Sequence, residues 1–119
     1  MLSAFGKFVR KLRIDNGELL KEMADKLGVT SSYLSAVENN KRNVPQGWSE
    51  IIIKNYALNE FEAKQLEKAI EESIIINKID LNQFGKEDKN IVKALARELK
   101  SFDEADRKKL IQLLNKERG

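Results

Sequence analysis

The chain has 119 residues, of which 41 % are hydrophobic and 34 % are charged, against about 25 % charged in an average soluble domain. It contains no cysteine and no histidine, which excludes a disulfide, a thiolate nucleophile and a Cys/His zinc site. No apolar run approaches the ~20 residues of a membrane helix, and the N-terminus carries no hydrophobic signal core. We therefore expect a cytoplasmic protein with no membrane segment, metal, cofactor or catalytic residue.

The net charge of +3 lies entirely in the first half of the chain. Residues 1–58 hold nine Lys and Arg against six Asp and Glu, whereas residues 59–119 hold thirteen of each. The cluster of basic residues is Lys7, Arg10, Lys11 and Arg13. Such a cluster is typical of a surface that binds a polyanion, and it is equally typical of a solvated helix face.

The first 39 residues predict three helices. Apolar residues at helical spacing mark the first, which ends at Asn16 and Gly17, and the second covers about residues 20–27. A turn of residues 28–30 follows, in which Thr30 is the expected N-cap of a third helix that runs to about Asn39. Two short helices joined by a tight turn with Gly28 are the ingredients of a helix-turn-helix.

The rest of the chain predicts further helices and one strand. A polar loop over residues 39–45 precedes a fourth helix over about residues 46–56, and a fifth runs from Asn59 to about Ser73. The isoleucine-rich residues 74–82 favour a short strand. Two amphipathic helices follow, the last of them after an N-cap at Asp103. We expect an all-α fold: a five-helix domain over residues 1–73 and an extension over 74–119 with a strand and two helices.

The third helix has one face that is small, polar and free of acids. At 100° per residue, Leu34 and Val37 point towards the core, and the opposite arc carries short side chains. A helix in the major groove of DNA needs such a face, because its side chains must approach base edges without repelling phosphates. Solvated helix faces usually hold Glu and Lys instead, so the pattern favours DNA binding over a merely solvated surface.

Residues 11–42, KLRIDNGELLKEMADKLGVTSSYLSAVENNKR, resemble the Cro/phage-repressor type of helix-turn-helix, also called the xenobiotic-response-element family. The resemblance extends over about residues 5–73. It implies a five-helix, lambda-repressor-like domain that binds operator DNA, usually as a dimer, and regulates transcription. No metal or cofactor is implied, and double-stranded DNA is the expected partner.

The resemblance also implies roles for individual residues of this chain. Arg13 and Glu38 match a buried ion pair that ties the third helix to the first. The base-facing positions are Ser31, Ser32, Tyr33, Ser35 and Ala36. The phosphate-contacting positions are Lys21, Asn39, Lys41, Arg42 and Asn43.

This chain departs from the family pattern at three places. Leu19 and Leu20 stand where relatives have Ser-Gln, so Lys21 becomes the expected substitute for a phosphate anchor. Asn40 stands where relatives have Gly, and Asn tolerates the left-handed conformation better than most residues. The third helix has neither Arg nor Gln for bidentate base contacts, so we expect moderate specificity with help from DNA shape.

A lone strand leaves its backbone groups unpaired, and the same strand of a second subunit would pair them. The sequence therefore predicts a homodimer held through residues 74–82, with Ile75, Ile79 and Leu81 in the contact. An extended linker, or a continuation of the fifth helix, explains the same residues equally well.

The function that fits best is a sequence-specific DNA-binding regulator, most simply a homodimeric repressor with residues 31–39 in the major groove. The alternative is an antitoxin that represses its own operon and binds a partner protein through residues 74–119. A protein-interaction module that has lost DNA binding comes third, and an enzyme last. The charged extension leaves little room for a ligand pocket.

Overall fold

The computed structural model describes residues 2–78 and 97–118, and the regular secondary structure of these residues is entirely helical. The helices are α1 (Ala4–Asn16), α2 (Leu20–Leu27), α3 (Ser31–Glu38), α4 (Trp48–Asn55), α5 (Glu60–Lys78) and α6 (Glu104–Arg118). Residues 97–99 are helical as well. The all-α expectation is confirmed for this part of the chain, in which no helix is long and apolar enough to span a bilayer.

Polar residues at the helix ends fix where the helices begin and stop. The hydroxyl of Ser3 caps α1 by accepting from the backbone N–H of Gly6 at 2.9 Å, and Gly17 ends that helix with a φ of 60°. Asn59 and Glu62 form the predicted capping box at the start of α5, with exchanged bonds of 2.8 and 3.0 Å. Asp103 accepts from the N–H of Asp106 at 2.8 Å, as its expected N-cap position requires.

One hydrophobic core joins α1 to α5. Its largest fully buried side chains are Phe5 of α1, Met23 of α2, Leu34 of α3, Ile52 of α4 and Leu66 of α5. Because every one of these helices contributes to the same core, α2 and α3 are held rigidly against the rest of the domain. This packing places the turn between them at the surface.

The prediction of a strand over residues 74–82 is wrong for residues 74–78, which are the last residues of α5. Ile75 and Ile76 are buried in a second hydrophobic cluster with Leu99, against which Phe102, Leu110 and Ile111 also pack. Isoleucine favours strands in isolation, but packing against a helical partner overrides that preference. Ile79 and Leu81 lie outside the described residues.

Because α5 continues beyond Ser73, Ile75 lies in a helix and not in the predicted strand. Its side chain has no exposed surface and packs inside its own chain. Ser73 itself is buried and accepts from the backbone N–H of Phe5 at 3.0 Å, which ties the start of α1 to α5. Residue 73 is therefore an internal anchor of α5 and not the end of that helix.

Candidate nucleic-acid interface

The turn between α2 and α3 has the geometry that its sequence predicts. Gly28 follows α2 with a φ of 72°, a left-handed conformation that glycine adopts at little cost. Thr30 then caps α3 by accepting from the backbone N–H of Tyr33 at 3.0 Å. The two caps end one helix and begin the next within three residues, so α2 and α3 form a compact helix-turn-helix.

The outer face of α3 forms one side of a shallow surface groove. Its lining consists of Leu20, Ser31, Ser32, Ser35, Ala36, Asn39 and Lys41. Four of the five residues predicted to face bases lie here together, and none of these seven described residues is acidic. The groove thus presents short hydroxyls, a methyl group and one cation to whatever lies against it.

Tyr33, the fifth predicted base-facing residue, lies apart from this groove. Its ring packs edge-on against buried Trp48 with the centroids 6.1 Å apart, and it carries the guanidinium of Arg42 at 5.0 Å from the ring centroid. Arg42 is exposed, so its charge stays available to solvent while its position is restrained by the aromatic ring. Tyr33 therefore connects the core to the cation beyond α3.

The other residues predicted to contact phosphates occupy different surroundings. The amide of Asn39 donates to the carbonyl of Ser35 at 2.9 Å, so this side chain closes the C-terminal end of α3. Asn43 accepts a hydrogen bond from Asn77 of α5, whereas Lys21 is exposed on the first turn of α2. Among the residues that the structure describes, Lys41 is the one exposed cation that lines the groove.

The predicted ion pair between Arg13 and Glu38 is present and buried. The guanidinium of Arg13 holds both carboxylate oxygens of Glu38, at 2.7 and 3.0 Å, and the two side chains are 9 % and 2 % exposed. Arg10 approaches the same carboxylate at 3.5 Å. A bidentate pair of this kind fixes orientation as well as distance, so α3 is locked to α1.

The backbone of α3 is attached to α1 at the same place. The carbonyl of Glu38 accepts from both the N–H and the hydroxyl of Ser3, at 2.8 and 3.0 Å. Asn40 follows with a φ of 62°, so the left-handed turn expected from its sequence position is present. Sequence reasoning missed Ser3, although its position three residues before Gly6 is a cap signal that could have identified it.

Two acids, Asp15 and Glu38, pair with three of the four cations in the basic cluster on α1. Lys11 pairs with Asp15 at 3.0 Å, while Arg10 and Arg13 share Glu38. Four cations against two carboxylates leave the cluster with a formal net charge of +2. Beyond α3, Lys41 lines the groove and Arg42 lies over the ring of Tyr33.

A second group of polar contacts joins α2 to the end of α4. Glu18 accepts from Tyr56 at the end of α4 and pairs with Lys26, which also lies 4.6 Å from the Tyr56 ring centroid. Burial acts to raise the pKa of Glu18, but the hydrogen bonds from Lys26 and Tyr56 outweigh it and lower that pKa. Burial, and then the neighbouring Glu18 carboxylate, raises the pKa of Tyr56. Glu18 is thus a charged anchor between the start of α2 and α4.

Comparison with known proteins agrees with this geometry. Residues 9–47 of the 119-residue chain match a family described as Helix-turn-helix, and they span the end of α1, both helices of the motif and the loop before α4. Searches of the curated proteins and of the solved structures gave no match. Fold and site together define a helix-turn-helix protein. The match over residues 9–47 supports a Cro/phage-repressor-type regulator, and that family is a DNA-binding regulatory one that is typically not enzymatic.

Proposed function

We propose that this DNA-binding transcriptional regulator is a sequence-specific repressor that places α3 in the major groove of its operator. The observation that supports this most strongly is the groove-lining face of α3. Its short side chains Ser31, Ser32, Ser35 and Ala36 lie together at the surface without an acid among them. Hydroxyls can donate to or accept from base edges, and the methyl group of Ala36 suits the methyl group of thymine.

Affinity comes from the cations that follow α3. Lys41 lines the groove, and Arg42 is held in place by the ring of Tyr33. Lys21, the exposed residue next to groove-lining Leu20, supplies a further positive charge. Contacts to phosphates fix the position of a protein on the duplex and make its affinity fall steeply with salt.

Two copies of the chain bind one operator in this proposal. An eight-residue α3 without Arg or Gln offers few strong base contacts, so one copy distinguishes sequences poorly. Two symmetric copies double those contacts and read an inverted repeat whose half-sites lie about one helical turn apart. Occupancy of such a site by a dimer excludes polymerase. The assignment of dimerisation to residues 74–119 stays a prediction.

The antitoxin alternative is less well supported. It requires a protein-binding surface within residues 74–119, where three of the large apolar side chains that the structure describes face inward, while Ile74, Phe102, Leu110 and Ile111 are half-buried. Ile75 and Leu99 have no exposed surface, and Ile76 is 6 % exposed. These side chains stabilise the fold of the chain itself, so they are not free to bind a toxin.

Selection of bound duplexes from a random DNA pool at moderate salt tests the proposal. We expect enrichment of an inverted repeat, and sedimentation of the full chain with that duplex should give two protein chains per site. A pool that is retained without enrichment would contradict sequence-specific recognition. A half-site bound by a single copy would contradict the dimer while preserving the major-groove placement of α3.

A further inference from the structure

A cavity of about 480 Å³ lies on the side of the molecule where α1, α5 and residues 97–100 meet. It borders the N-terminal end of α1 and the turn that follows α3, and it is lined by residues from both the motif-bearing domain and the C-terminal part. Small-molecule sites in proteins typically occupy about 300–1,000 Å³. The cavity therefore has the size of a metabolite site, which the charged composition of the extension did not lead us to expect.

Glu72 supplies a polar group inside this cavity. The residue is only 7 % exposed, and its Oε1 is buried without a hydrogen-bond partner among residues 2–78 and 97–118. Buried carboxylate oxygens are normally satisfied, because an unsatisfied one costs free energy of folding. Oε1 has less than 1 Å² of accessible surface, so a ligand in the cavity meets it once the carboxylate turns about its last side-chain torsion. A hydrogen bond donated to Oε1 would then remove this cost, and an ammonium group would donate most strongly.

The remaining lining divides into a basic part and an apolar part. Lys7, Arg97 and Lys100 are exposed residues of the lining, so their charges can meet an anionic group at the mouth of the cavity. Leu2 and Ile76 provide apolar surface. The hydroxyl of Ser73 is already engaged, since it accepts from Phe5 and donates to Ala69. Glu72 is consequently the acceptor that a ligand can use.

We propose that this cavity binds a zwitterion with an apolar body, either an α-amino acid with a large apolar side chain or a dipeptide. The ammonium group donates to Glu72, the carboxylate lies among the three cations, and the apolar body packs against Leu2 and Ile76. A ligand with only an ammonium group would leave the three cations without a partner, and a ligand with only a carboxylate would leave Glu72 without one. The proposal concerns binding to the protein itself and does not depend on the proposed operator recognition.

The position of the cavity connects it to the motif. Ser3 and Asn40 line it, and these are the residues that bond the end of α3 and form the turn beyond it. A ligand in the cavity would therefore lie against the residues that hold α3 to α1.

Isothermal titration calorimetry of the full chain tests this site. The probes are phenylalanine and the dipeptide leucylphenylalanine, with N-acetylphenylalanine and phenylalaninamide as probes that each lack one charge. We expect at least one of the two zwitterions to bind. The probe that binds more tightly identifies either an amino acid or a dipeptide as the ligand class. Removing either charge should weaken binding about tenfold, because one charge-assisted contact is lost.

The variant Glu72→Gln should also weaken binding of the zwitterion about tenfold, since a neutral amide accepts less strongly from an ammonium group. Glu67→Gln is the matched control, because Glu67 is exposed on the same helix and does not line the cavity. Circular dichroism verifies that both variants are folded. The proposal is overturned if neither zwitterion binds at millimolar concentration, if N-acetylphenylalanine binds equally well, or if Glu72→Gln leaves the affinity unchanged.

Discussion

Gly6 of α1 lies so close to Glu38 of α3 that a Cβ atom on Gly6 would stand 2.3 Å from the Glu38 carbonyl oxygen. Real Cβ atoms do not approach backbone oxygens to that distance, so the absence of a side chain at residue 6 permits the contact between the two helices. The carbonyl accepts two hydrogen bonds from Ser3 at the same place. The end of α3 is thereby fixed to α1 through backbone contacts as well as through the Arg13–Glu38 pair.

Gly6→Ala should lower the free energy of unfolding even though alanine is the better helix former. Alanine gains about 1 kcal/mol of helix propensity, whereas forcing the helices apart costs about 1–3 kcal/mol and also breaks the Ser3 contacts. Urea denaturation of the full chain measures the difference. Lys7→Ala, at the next and exposed position of α1, should be neutral. A Gly6→Ala variant more stable than the parent would show that α1 and α3 are not locked there.

Arg13→Ala should destabilise the fold by about 3–5 kcal/mol, because it leaves the buried carboxylate of Glu38 without its bidentate partner. Lys11→Ala breaks an ion pair in the same helix, but that pair is exposed and should contribute less than about 1 kcal/mol. Thermal and chemical unfolding of both variants make the comparison. Equal losses for Arg13→Ala and Lys11→Ala would mean that burial of the pair does not matter.

Glu72→Gln should make the protein more stable near neutral pH but not in acid. Burial, only partly offset by Lys68, Arg107 and Lys100, raises the pKa of the Glu72 carboxyl above its ordinary value of 4.5. The folded state therefore binds this proton more tightly than the unfolded state. Its contribution to stability is present below pH 4.5 and is lost as the pH rises through the folded-state pKa.

The direction of this pH dependence can be tested by urea denaturation between pH 4 and pH 8. The proteins compared are the parent, Glu72→Gln and the exposed control Glu67→Gln. The stability advantage of Glu72→Gln over the parent should grow as the pH rises, while Glu67→Gln follows the parent. An advantage that shrinks with rising pH would mean that the folded protein stabilises the charged carboxylate instead.

Arg42→Ala should weaken binding to all duplexes alike and reduce the slope of log affinity against log salt by about 1, since a phosphate contact carries no sequence information. Tyr33→Ala should have a smaller effect of the same kind, because it removes the ring that restrains Arg42. The double variant should lose less binding free energy than the sum of the losses in the two single variants. Fluorescence anisotropy at several salt concentrations measures these values, with Lys54→Ala on α4 as the control. Strict additivity would contradict the proposed positioning of Arg42 by Tyr33.

Local signals in the sequence were sufficient to predict α1 to α3 and the helix-turn-helix that α2 and α3 form. Glycine, threonine and asparagine mark where these helices stop and start, and such caps act within a few residues. The end of α5 was not predictable in the same way, because Ile75 and Ile76 become helical through contact with Leu99, more than twenty residues away. The packing of Tyr33 on Trp48 and the approach of Gly6 to Glu38 are also long-range contacts, and spacing within one helix does not reveal them.

Duplex selection repeated with Ser32→Ala beside the parent and Arg42→Ala tests most directly whether α3 reads bases. Ser32 is an exposed residue of the groove, so removal of its hydroxyl should leave stability unchanged. We predict that Ser32→Ala changes the preferred base at one or two positions of each half-site, while Arg42→Ala keeps the selected motif and lowers affinity. If Ser32→Ala selects the same motif with the same stringency as the parent, α3 does not enter the major groove in the way that its surface indicates.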